Sequence, residues 1–323
     1  MRPTLLAAAL IGLAGPVLAA PKIVADMPAT ASLVQQVAGD LAEVSVLLPA
    51  GTDVHHYQMR PSDARALQGA DLLVWIGPEL TPWLDHAADS LGAGTGDLRL
   101  ISLPGLEKQA YGADEGHEEH DHSAHGHDDH EHDHDHGHDD HHDHDGHDHS
   151  GTDPHLWLDP GNAVIWLQAI ATQLSDRDPE NAATYEANAR AAQEKIVALD
   201  NQIAKELAPF ADKSFVVFHD AYGYFTRHFG LKAALAVSLG DASSPSAARL
   251  REIRDQIAST GATCAFPEHA HDPRLIDTVI EGSPATVGGA LDPLGGTLEQ
   301  GPDLYAGIVK GMADTLTACL SKG

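Results

Sequence analysis

At 323 residues the chain is long for one domain and long enough for two lobes that each bury a core of their own. Its 42% apolar and 5% aromatic content is that of a globular protein, and a formal charge of -29 excludes the basic footprint of a nucleic-acid binder while favouring cations. About half of the imbalance is local, because Asp114 to Asp148 holds 15 of the 48 acidic residues and no Lys or Arg.

The chain opens with Arg2 and a nearly continuous apolar run from Leu5 to Leu18, followed by small residues. That is the pattern of a secretory signal over residues 1–19, too short to remain as a membrane span, with cleavage after Ala19 and release of a soluble chain into the periplasm. Short apolar runs at 22–26, 43–48, 71–76 and 98–102 predict strands covered on both faces. Helices are predicted at 62–68, behind Pro61, and at 82–91, behind Thr81. Together these make a parallel α/β lobe over 20–177. It is interrupted at 111–151 by a His/Asp-rich insertion with 15 of the 23 histidines and few apolar side chains, predicted to be disordered because it cannot offset its ordering entropy.

A long helical pattern follows over 178–209. Tyr185, Ala189, Ala192, Ile196, Leu199, Ile203 and Leu207 fall on one face, and a helix of this length reaches about 45 Å, which suits a rigid connector. The region 210–323 repeats the first lobe's grammar, with strands at 214–218, 232–237, 263–266 and 285–290. Helix starts are predicted at Ser244-Pro245, Asp272-Pro273 and Gly301-Pro302, and a helix stop at Gly261. The fold class is therefore α/β, with two parallel-sheet lobes joined by one long rigid helix and a disordered insertion. Cys264 and Cys319 have no partner at CxxC spacing, so in an oxidising compartment they are expected to form a disulfide closing about 55 residues, contributing roughly 4 kcal/mol.

In open α/β sheets ligands bind beyond the carboxyl ends of strands. Four candidates stand there: His55 in GTDVHHY, His155 in TDPHLWLDP, His219 in FHDAYGYF and Asp292 in LDPLGG. Three imidazoles and a carboxylate or water make a tetrahedral zinc shell, whereas manganese and magnesium favour oxygen. His56 should point away from its neighbour His55 if the loop is extended. Glu268, His269 and His271, or a solvent molecule, compete with Asp292 for the fourth position. Asp153 and Asp220 are placed to orient imidazoles, Asp159 to cap a helix, and His86 and His228 to serve packing or surface roles.

With these residues in view, GTDVHHYQMRPSD, DLLVWIGPEL, TDPHLWLDP, FHDAYGYF and LDPLGG together resemble the metal-binding receptors that serve zinc and manganese ABC importers, most closely the zinc-uptake branch. The resemblance spans nearly the whole mature chain, including the acidic insertion and the Cys pair. It implies ligands at His55, His155 and His219 with a variable fourth position, zinc as the transported ion, and a membrane permease energised by an ATPase as partner. Similar manganese receptors carry a carboxylate where His219 stands. Val54 departs from zinc receptors that have an acidic residue before the first His, which leaves the fourth ligand open.

The chain is read as a monomeric, non-enzymatic receptor. A three-His site with an open position also suits hydrolysis, but GxSxG and GxxxxGK[ST] are absent from the sequence, and its HExxH match, His130 to His134, falls within the His/Asp-rich repeats of the insertion. A periplasmic zinc metallochaperone or store, uncoupled from a permease, is the main alternative. Because the insertion leaves the lobe after Ser102 and returns just before His155, its ends are expected near the rim of the cleft, where it would gather zinc or sense its excess; the alternative is a solubilising or storage tail without kinetic effect. Zinc is expected to rearrange loops rather than drive a wide hinge, and its affinity to fall below about pH 6 as protons compete for imidazole.

Overall fold

The structure is a computed structural model that describes residues 20–91, 96–111, 151–240 and 242–322. The expected signal and, apart from its two ends, the expected disorder of the insertion lie outside the described residues. Four strands, β1 (Lys22–Ala25), β2 (Glu43–Val46), β3 (Leu72–Trp75) and β4 (Gly96–Arg99), form a parallel sheet in the order β2-β1-β3-β4. A second parallel sheet contains β5 (Phe215–His219), β6 (Leu235–Ser238), β7 (Cys264–Phe266) and β8 (Thr286–Val287) in the order β6-β5-β7-β8. The two sheets thus share one strand permutation, and each changes direction beside its first strand, between β1 and β3 and between β5 and β7.

Three strands differ from the sequence reading by three residues at one end. β4 occupies Gly96–Arg99 because its register follows β3 from Leu72 to Trp75, and residues Leu100–Ser102 turn into a 3-10 helix instead. β6 begins only at Leu235, where pairing with Val216 begins, and β8 pairs through two residues before the chain reaches Gly288 and Gly289.

The helices are α1 (Pro28–Ala38), α2 (Pro61–Gln68), α3 (Pro82–Leu91), α4 (Pro160–Arg177), α5 (Ala182–Leu207), α6 (Gly223–His228), α7 (Ala247–Thr260), α8 (Arg274–Ile280) and α9 (Leu304–Leu320). Asp159 caps α4 by accepting the Gly161 N–H at 2.7 Å, and Gly261 ends α7 in the left-handed conformation at φ 68°. The connector α5 starts four residues later than read, after a 3-10 turn at Pro179–Asn181, and its 26 residues span about 39 Å. Of its predicted stripe, Leu199 alone is half-buried and the other six residues are buried.

Strand alternation sorts the core into layers. Ile23, Leu72, Val74, Phe215 and Val217 face a central cluster that both sheets share with α1, α4, α5 and α9. Val24, Leu73 and Trp75 face outward under α2 and α3, while Val216 and Phe218 pack beneath α7 and α8. The last helix, α9, crosses back onto α1 and α5. Ser32 Oγ donates to Pro302 O at 2.9 Å, and the Tyr305 hydroxyl donates to Trp157 O at 2.9 Å. Cys264 and Cys319 are disulfide-bonded, tying β7 to α9. Among the described residues no helix is long and apolar enough to cross a membrane.

Candidate metal centre

Three segments deliver the three histidines. His55 lies in the loop between β2 and α2, a loop fixed at its far end by Asp63, whose carboxylate accepts from the Tyr57 hydroxyl at 2.6 Å and the Arg60 N–H at 2.7 Å. His155 follows a short antiparallel stem in which Tyr111 N–H donates to Gly151 O and Asp153 N–H donates to Gln109 O, at 3.2 and 2.9 Å. The 3-10 turn Leu156–Leu158 then leads into α4. His219 is the last residue of β5, at the switch point of the second sheet.

These three side chains converge. One ligand atom from each lies within 4.8 Å of the others, and the ring centroids are 5.3 Å apart for His55–His155, 6.0 Å for His55–His219 and 5.3 Å for His155–His219. The Nε2 atoms of His55 and His155 stand 3.4 Å apart. A tetrahedral ion bound about 2.0–2.1 Å from each nitrogen requires about 3.3 Å between them, so the donor set fits zinc without rearrangement of that pair.

Carboxylates fix the other ring nitrogens. His155 Nδ1 is 2.7 Å from Asp153 Oδ1, and His219 Nδ1 is 2.7 Å from Glu268 Oε2. Each carboxylate accepts the Nδ1 proton, which leaves the Nε2 lone pair facing the pocket and makes it more basic. The carboxylates are tethered in turn: Gln109 Nε2 donates to Asp153 Oδ2 at 2.8 Å, and the Tyr222 hydroxyl donates to Glu268 Oε2 at 2.7 Å. Burial alone would depress the His219 imidazole, but the charge and hydrogen bond of Glu268 outweigh it and the net shift is upward. Among the described residues His55 has no such partner, and burial, aided by the neighbouring His155 and His219, pushes it well below the ordinary range.

The remaining candidates divide. His56 is 54% exposed, with Nδ1 2.7 Å from Asp53 Oδ2, and it stays outside the group. Asp292 is not brought to the three histidines. Its oxygens accept from the Gly296 N–H, the Thr297 N–H and the Thr297 hydroxyl at 2.8, 2.8 and 2.6 Å, so it shapes its own loop. Asp153 holds the orienting position expected of it. For His219 that position belongs to Glu268, not Asp220, and Glu268 lies 49 residues away in sequence. His86 is exposed, whereas His228 joins two carboxylates, Asp159 and Asp200. Gln109 and Tyr222 were not singled out by the sequence; Tyr222 lies three residues past His219 in FHDAYGYF, the one signal that pointed to it.

Known proteins agree with this architecture. Residues 23–319 match the family model for the periplasmic component A of the zinc-uptake complex, ZnuA. The chain is 59% identical over 300 residues to the high-affinity zinc uptake system protein ZnuA of Paracoccus denitrificans, covering 93% of this chain and 92% of that one. It is 32% identical to the protein of the same name from Yersinia pestis, over 99% of this chain and 98% of the other. In fold it is similar to a crystal structure of ZnuA, with a TM-score of 0.73 at 23% identity over 94% of this chain and all of that one. It is also similar to a manganese-bound periplasmic metal-binding protein from Candidatus Liberibacter asiaticus, with a TM-score of 0.71 at 22% identity over 93% of this chain and 99% of the other. Matched over residues 23–319, the chain belongs to the ZnuA family of periplasmic zinc-uptake components.

Proposed function

We propose that this protein captures Zn(II) in the periplasm between its two lobes, with His55, His155 and His219 as ligands, and delivers it to the permease of an ATP-driven importer. The observation that carries the reading is the convergence of three imidazoles, two of which, His155 and His219, have Nε2 left free by a carboxylate-held Nδ1. Nitrogen donors favour zinc over manganese and magnesium. Delivery is supported by the family, which is one of uptake components. Catalysis has no part in this reading: the two carboxylates beside the imidazoles, Asp153 and Glu268, are engaged in holding them.

The ligand assignment is tested by replacing each histidine with alanine and measuring zinc competition against a calibrated chelator. Each replacement is expected to weaken the tight site by well over the 10–100-fold that losing an orienting partner costs. Retention of tight binding by all three variants would overturn it. Delivery is tested by growth of a deletion strain, lacking any redundant importer, under zinc chelation. Rescue by the wild-type gene that depends on the permease supports transport, whereas permease-independent rescue points to a store or chaperone.

A further inference from the structure

We propose that His271 is the fourth protein donor to the metal, turned from its present stack on Phe218 into the ring of His55, His155 and His219; this rests on the three-imidazole reading above. The small pocket enclosing those imidazoles is otherwise walled by Val54, Trp157, Pro293 and Leu294, and among the described residues three further polar side chains line it: Asp53, Glu268 and His271. Two of the three are committed. Asp53 Oδ1 accepts the His55 N–H at 2.9 Å and its Oδ2 holds His56 Nδ1 at 2.7 Å, while Glu268 Oε2 holds both His219 and Tyr222. Among the described residues neither ring nitrogen of His271 has such a bond; Glu268 Oε1 lies 3.6 Å from Nε2.

The backbone is bent to keep this ring at the pocket. Ala270 is at φ 72°, the left-handed region that a residue with a Cβ enters at a cost, and non-glycine residues held there gather at functional sites. The bend lets His271 N–H donate to Glu268 O at 3.3 Å, while His269 N–H donates to Leu291 O at 2.9 Å. The imidazole then lies on Phe218 with centroids 4.3 Å apart and planes at 22°. Its centroid is 6.1 Å from that of His219, close to the 6.0 Å separating His55 from His219. Rotation of the side chain off the Phe218 face, with its backbone fixed, is what carries a nitrogen into the fourth position.

The consequence is a shell of four nitrogens with one detachable member. The His271 side chain is 16% exposed, against 2% and 5% for His155 and His219, so it closes over the metal last and leaves first. A fourth imidazole also steepens selection for zinc over oxygen-preferring ions.

The test uses the full-length chain with one equivalent of zinc, at a chelator concentration where the triple variant His55→Ala, His155→Ala, His219→Ala holds none. X-ray absorption at the zinc edge is expected to show four imidazoles in the wild type and three with one oxygen in His271→Gln, together with at least about tenfold weaker binding. In His271→Cys a zinc–sulfur shell is expected, which arises only if position 271 reaches the ion. Three imidazoles in the wild type, or no sulfur shell in a His271→Cys variant that still binds zinc, would overturn the proposal. If His155→Ala also kept tight binding, the three-imidazole reading itself would be the one that failed.

Discussion

At the scale of single residues, the site depends on two carboxylates that never need to touch metal. Glu268 holds His219 in the tautomer that offers Nε2, and its charge raises the affinity of that ring for protons as well as for zinc. The two effects oppose each other in a predictable way. Below the raised pKa of His219 a proton occupies the nitrogen that zinc requires, so affinity starts to fall from above the ordinary imidazole value and continues falling as pH drops. Glu268→Gln removes the charge. Zinc binding at about pH 7.5 is expected to weaken by roughly 10–100-fold, while its dependence on pH below neutrality becomes shallower. Chelator competition across pH checks both; an unchanged pH profile would show that Glu268 does not govern the imidazole. How much of this was legible in sequence depends on distance along the chain. Asp153 stands two residues before His155, near enough for its role to be read, whereas Glu268 reaches His219 only through the pairing of β5 with β7. Asp292 was harder to read, because in sequence a carboxylate beyond a strand looks the same whether it faces a ligand or, as here, three donors of its own loop.

At the scale of elements, helices meeting around the site are joined by one charged residue. His228, at the end of α6, places Nδ1 2.8 Å from Asp159 Oδ1 at the start of α4 and Nε2 2.7 Å from Asp200 Oδ1 on α5. Burial works against its charge, but the hydrogen bonds and charges of the two carboxylates prevail and raise the imidazole to about 9. The folded protein therefore binds a proton that the unfolded chain releases near 6.5, so the stabilisation is complete below that value and is lost as pH rises through about 9. His228→Gln is expected to lower stability by roughly 2 kcal/mol at about pH 6 and by much less at about pH 10. Thermal melts of both proteins at the two pH values would show the gap closing; a constant gap would contradict the link. A second element-scale constraint lies where the Asp292 loop meets the His55 loop. A methyl group on Gly296 would stand 2.8 Å from the backbone N and Cα of Gly51. Gly296→Ala is expected to displace the His55 loop, costing about 1–3 kcal/mol of stability and weakening zinc capture, with the disulfide and both sheets intact. Undiminished capture would show that the loop yields freely. The helices themselves were unevenly legible. The stripe of α5 announced itself, but α1 buries nine of its eleven residues and so offers no polar face to read.

At the scale of the whole molecule, the two sheets are not independent bodies linked by a rod. The central cluster runs without a break from Ile23 and Val74 to Phe215 and Phe266, and α9 returns from the second sheet to pack on α1 and α5. Opening a wide cleft would expose this shared apolar surface, at roughly 25 cal/mol for each Å², and would separate Tyr305 from Trp157 as well as Trp157 Nε1 from Pro293 O, which are 2.8 Å apart. A single ion held by a few side chains therefore acts on what is cheapest to move. Those are the irregular segments on the carboxyl ends of the strands: residues 49–60, which carry His55, and residues 267–272, where Ala270 is already strained. Hydrogen exchange with and without zinc is expected to show protection concentrated in these two segments, with α5, α9 and the strands unchanged. The long helix and shared core together make that pattern diagnostic. Widespread protection of α5 and of the α1–α9 contact would mean that zinc closes the lobes as rigid bodies, and the local account of capture would then have to be given up.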